Sequence, residues 1–148
     1  MDVLFYMPLY LFKIASFACF SLLMCACSLV QTSPYDSSTD KALTRLHKQT
    51  AQFFIVVSDP AHCGYDDHLE FYHESRVALS GLQVRASAMA KNRFTVEQLE
   101  LLFFSFSNLA QLHQLGCFTP DQVEGLWVSF DASFSAILKL ELAKKYGR

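Results

Sequence analysis

From Leu43 to Val57 the residues Leu43, Leu46, Thr50, Phe53 and Val57 follow one another at steps of three, four, three and four. That spacing lines one face of an α-helix and is incompatible with a strand, whose faces alternate every residue. The period stops at Ser58-Asp59-Pro60, where proline cannot continue a helix. A second helical period spans about residues 65–91, with Tyr72, Leu79, Leu82, Ala86 and Met89 on its inward side. Two further helices announce their own starts. In Phe94-Thr95-Val96-Glu97-Gln98-Leu99, Thr95 is placed to cap and Gln98 to reach back, with Phe94 and Leu99 as the apolar staple around them. Phe118-Thr119-Pro120-Asp121-Gln122-Val123 repeats the device, with Pro120 at the first helical position, where a missing N–H costs nothing.

No stretch reads as a convincing strand, so the expected fold class is all-α. Four helices joined by short loops give an antiparallel up-down-up-down bundle as the default, here over residues 39–148. A chain of 148 residues, 52% hydrophobic, has enough apolar material for one such core. The two helix starts share a longer likeness, FTVEQLELLFFSF against FTPDQVEGLWVSF, 24 residues apart. Shared capping rules account for much of it, and a duplicated helix is the alternative.

The chain before the bundle has a different character. Up to Ala26 the only charges are Asp2 and Lys13, and the thirteen residues after Lys13 carry none. Thirteen suits the apolar core of a secretion signal and falls short of the ~20 residues a bilayer-spanning helix needs. A start at Met7 would leave MPLYLFK as a more ordinary leader. The run ends at Leu22-Leu23-Met24-Cys25-Ala26-Cys27 and is followed by polar SLVQTSPYDSSTD.

This ending resembles the lipobox of bacterial lipoprotein precursors, in which a small residue precedes the cysteine that is acylated and becomes the new N-terminus. Cys27 fits that position, with Ala26 before it; Cys25 fits less well, because Met24 is large. The resemblance implies a signal peptide over 1–26, a covalent lipid on Cys27 as the sole attached group, and a linker over 27–38. Several acyl chains at about 0.8 kcal/mol per buried CH₂ make such a tether effectively permanent. Ser28 after the cysteine, in place of Asp, implies sorting to the periplasmic face of the outer membrane; inner-membrane retention is the alternative. With Cys19 and Cys25 removed and Cys27 lipidated, Cys63 and Cys117 remain. In an oxidising compartment an even pair reads as one disulfide, with two buried thiols as the alternative. In the expected topology both cysteines fall in loops at the same end of the bundle.

Candidate chemistry is sparse. Asp66, Asp67, His68, Glu70, His73 and Glu74 crowd the start of the second helix, and Glu70-Phe71-Tyr72-His73 matches half of the paired Glu-x-x-His motif of di-iron bundles. There is no second copy, and acidic residues suit the positive end of a helix dipole, so no metal site is expected. His113 sits on the inward period of the third helix and reads as a hydrogen-bonded core histidine. His62 beside Cys63 would suggest a nucleophile, but the expected disulfide removes the thiol. No nucleophile elbow, phosphate loop or metal-ligand spacing is present, and an enzyme is not expected. A formal charge of −2 with scattered cations gives no nucleic-acid surface; Lys144, Lys145 and Arg148 read as a solvated helix end.

The third helix carries the most informative pattern. Leu99, Leu102, Phe106 and Leu109 point one way, whereas Leu101, Phe104, Leu112 and Leu115 point nearly opposite, with Asn108 among them. A bundle helix needs one broad apolar arc, so the second line is either covered by the linker or the fourth helix, or is a contact surface for another protein, a second copy or a membrane. The resulting expectation is a lipid-anchored envelope protein whose helical domain binds a partner. The Thr-x-x-Gln starts also faintly resemble a motif of helical periplasmic stress chaperones and metal sensors, which is the alternative function; an enzyme ranks third.

Overall fold

A computed structural model of the protein describes residues 32–147. Cys27 and the apolar leader lie outside them, as does Arg148. Among the described residues the chain is all-helical, with four long helices: α1 Ser37–Val57, α2 Leu69–Ser87, α3 Arg93–His113 and α4 Pro120–Tyr146. Two single 3₁₀ turns, Pro60–His62 and Tyr65–His68, connect α1 to α2. No described helix is long and apolar enough to cross a membrane.

The helices begin where side chains satisfy their orphan N–H groups. Asp36 caps α1, accepting from the Ser38 N–H at 3.1 Å and from the Thr39 hydroxyl at 2.8 Å. Thr119 caps α4 in a complete capping box: its hydroxyl accepts from the Gln122 N–H and the Gln122 amide oxygen accepts from the Thr119 N–H. The start of α3 differs from the expected one. It begins at Arg93 with Asn92 before it, so Thr95 lies inside the first turn and caps nothing. Thr95 is fully buried, its hydroxyl 2.7 Å from Glu141 Oε1. The Phe94–Leu99 staple is absent as well: Phe94 is exposed beneath the Arg93 guanidinium while Leu99 is in the core. The apolar demand at residue 95 was met by burying a hydroxyl with a polar partner, which a capping pattern does not announce.

α2 is shorter than the expected 65–91. It ends at Ser87 because Ala88 and Met89 turn their N–H groups back onto Val84 and Ala86, and Lys91 then takes a positive φ of 64°. Asn92 closes this end by donating its side-chain amide to the Ala86 carbonyl at 3.0 Å.

Each helix packs on two others: α1 on α2 and α4, and α3 on the same pair. The core contains the inward residues expected of α1 (Leu43, Leu46, Phe53, Val57) and of α3 (Leu99, Leu102, Phe106, Leu109), joined by Leu79, Leu82 and Ala86 from α2 and Phe130, Phe134 and Ile137 from α4. The segment before α1 belongs to this packing too. Ser33 is buried, its N–H donating to the Lys91 carbonyl and its hydroxyl to Asn92 Oδ1 at 2.8 Å. The folded domain therefore includes Ser33 and begins ahead of the expected boundary at residue 39, which falls inside α1.

Candidate partner-binding surface

α3 presents the second apolar line to solvent. Leu101 is 60% exposed, Phe104 54%, Leu112 37% and Leu115 85%. Asn108 is exposed among them, and Glu100, Gln111 and Gln114 flank them. Neither α4 nor residues 32–36 covers this line. The reason lies in the two-sided pattern of α3: Leu99, Leu102, Phe106, Leu109 and His113 already fill its inward arc. Phe104 meets the Phe103 ring edge-on, but it and the three leucines leave much of their apolar surface in contact with solvent.

At the α1–α2 and α3–α4 junctions Cys63 and Cys117 are joined as a disulfide, with Cα atoms 5.2 Å apart. Beside it, the last turns of α1 and the first of α4 enclose a largely apolar groove of about 570 Å³, bordered by Phe54, Ile55, Pro60, Phe118 and Trp127 as well as both cysteines. No spacing rule in the sequence points to it, because its lining is drawn from α1, α4 and the two loops that the disulfide joins.

Under the disulfide lies His113, fully buried. Its Nε2 donates to the Cys63 carbonyl at 2.7 Å, since a carbonyl can only accept. That fixes the neutral tautomer with a lone pair on Nδ1, which accepts the Tyr72 hydroxyl at 2.8 Å. Phe118 stacks on the ring at 4.6 Å. Burial pushes the His113 pKa below its ordinary value, against an opposing effect from the bond to Cys63, and burial raises that of the Tyr72 phenol. With both ring nitrogens engaged, His113 serves to lock the disulfide loop onto the bundle.

The acidic and histidine residues at the start of α2 do not converge. Among the described residues no three of His, Cys, Asp or Glu are grouped to hold a metal ion. His68 is buried and bonded to the His62 carbonyl, whereas Glu70 and His73 face solvent.

A second polar cluster, missed in the sequence, sits at the α2–α3 junction. Lys144, expected to be solvated, is buried: its Nζ donates to Asn92 Oδ1 at 2.6 Å, Thr95 Oγ1 at 2.7 Å and Glu141 Oε1. Glu141 is equally buried. The signal was available, because Phe130, Phe134, Ile137, Glu141 and Lys144 continue one inward period at steps of four, three, four and three.

No protein-family model matches the chain, and neither a curated protein nor a solved structure is significantly similar to it. Function rests on the surfaces themselves.

Proposed function

We propose that the protein is a lipid-anchored component of a bacterial envelope, a helical module that holds a protein partner against the exposed face of α3. The lipobox-like ending at Cys27 supports the anchor, with Ser28 favouring the outer membrane. The Cys63–Cys117 bond fits an oxidising compartment. The observation that carries the binding reading is the line Leu101, Phe104, Leu112 and Leu115, four large apolar side chains open to solvent on a helix whose core face is already filled. In the up-down-up-down order this line lies along the side of the bundle. Tyr72 meeting His113 and Thr95 meeting Glu141 both support that order.

The test is Leu101→Glu and Phe104→Glu in the full chain, read by circular dichroism and thermal melting and by crosslinking from a photoreactive residue at position 108 in cells. Helicity and midpoint should be unchanged, and the crosslinked adduct formed by the otherwise unaltered protein should be lost. Unfolding of either variant would make the line part of the core, and an adduct that survives both charges would remove it as the contact.

A further inference from the structure

The segment entering α1 is stitched to the bundle at one place. Ser33 is tied to Lys91 and Asn92, and Asn92 in turn to Lys144. Tyr35 donates to Asp40 at 2.6 Å and has the Lys145 ammonium 5.4 Å from its ring, while Asp36 accepts two hydrogen bonds from Arg85 in the last turn of α2. The chain N-terminal to Ser33 therefore leaves the domain at the α2–α3 junction. Two aromatic side chains flank this exit: Phe94, two residues past Asn92, and Tyr146, two residues past Lys144. Phe94 is 43% exposed and Tyr146 75%. Each carries a cation against its ring, Arg93 at 5.0 Å from Phe94 and Lys145 at 5.7 Å from Tyr146; Arg93 is shared with Glu97 at 3.5 Å.

We propose that this end of the domain is a membrane-contacting surface, with Phe94 and Tyr146 lying among the headgroups of a phospholipid bilayer and Arg93 and Lys145 beside anionic phosphates. The inference rests on the reading of Cys27 as the lipid-bearing residue. Five residues lie between Cys27 and Ser33, and the six steps span at most about 20 Å when fully extended, so the exit cannot stand far from the bilayer. Aromatic rings with a polar or cationic neighbour favour the headgroup layer, where one part of the pair is apolar and the other wet. The same placement orients everything else. α1, 21 residues long, carries the chain about 30 Å from the exit to the disulfide and its groove. The partner line on α3 begins eight residues from that helix's first, about 12 Å along its axis from the junction. The partner face is thereby held above the bilayer and the groove is turned away from it.

The sole tryptophan, Trp127, provides an internal control, since it lies 17 residues or about 25 Å along α4 from Lys144. Full-length protein processed in cells is reconstituted into vesicles of phosphatidylethanolamine and phosphatidylglycerol whose acyl chains are brominated near the headgroup, and vesicle attachment is checked by flotation. Emission from Phe94→Trp in a Trp127→Phe background should be quenched severalfold more than emission from native Trp127. Tyr146→Trp in the same background gives the same expectation at a second site should the first variant misfold. Protein that floats with the vesicles while both introduced tryptophans stay unquenched, or while Trp127 is quenched as strongly, overturns the orientation and leaves the anchor standing. Protein that does not float overturns both.

Discussion

Replacing Lys144 with methionine should be among the most damaging single changes in the domain. The ammonium is buried with Glu141, and it donates to three oxygens, one each from α3, α4 and the α2–α3 junction. Methionine fills a similar volume but strips the Glu141 carboxylate of its cation and leaves it the Thr95 hydroxyl as a donor. Removing one member of a buried ion pair costs about 3–5 kcal/mol, because the other charge stays desolvated and uncompensated. Against a total stability of about 5–15 kcal/mol this is a large share. In a urea titration at pH 7 followed by circular dichroism, the midpoint should fall by about 2 M at an ordinary slope of about 2 kcal/mol per M. Lys144→Met with Glu141→Leu removes both charges and should regain part of the loss. It should not regain all of it, since the Thr95 hydroxyl then lacks an acceptor at a cost of about 1–3 kcal/mol. A single variant that loses under about 1 kcal/mol, or a double variant no better than the single, would refute the reading of the cluster as a paired buried charge.

Other outcomes follow from the opposite junction and from the first cap. Cys63→Ser with Cys117→Ser opens a 54-residue separation and should lower stability by roughly 4 kcal/mol by loop-closure entropy, read as a urea midpoint; a loss below about 1 kcal/mol would contradict it. His113 is held neutral by burial, so the unfolded state binds the proton more readily; stability should be full above pH 6.5 and decline as pH falls below it toward the lower folded-state pKa. In His113→Gln the decline between pH 7 and 5 should be shallower, and an unchanged slope would show that another group sets it. The Arg85 guanidinium, with help from Thr39 and Ser38, holds the Asp36 carboxyl well below the usual carboxylate range. Its contribution should be present above pH 4 and lost in stronger acid, and Asp36→Asn should remove that acid-side loss in the same titration.

Much of the bundle was legible because burial enforces a period. The inward residues of α1 and α3 follow from spacing alone, and so does His113, since a histidine between Leu109 and a loop still has to face the core. The Thr119 start was legible for a local reason: its cap uses groups within three residues of one another. Thr95 carries the same Thr-x-x-Gln pattern but a different fate, because its hydroxyl partner, Glu141, lies 46 residues away. Lys144 departs from the solvated position expected of it for a related reason. A lysine near a C-terminus is ordinarily solvated, and only the convergence of Asn92, Thr95 and Glu141 makes its burial tolerable. The exposed apolar line on α3 was legible as surplus apolar residues on a helix with its core arc filled. The groove beside the disulfide was not, since its walls come from residues more than 50 positions apart that only the tertiary fold brings together.

Intact mass spectrometry of protein extracted from cell membranes tests the anchored reading most directly. The mature chain should begin at Cys27 and carry two or three acyl chains, with Cys27→Ala accumulating as unprocessed or mislocalised precursor. A mature protein that still begins at Met1 or Met7, with no lipid mass on Cys27, would contradict it.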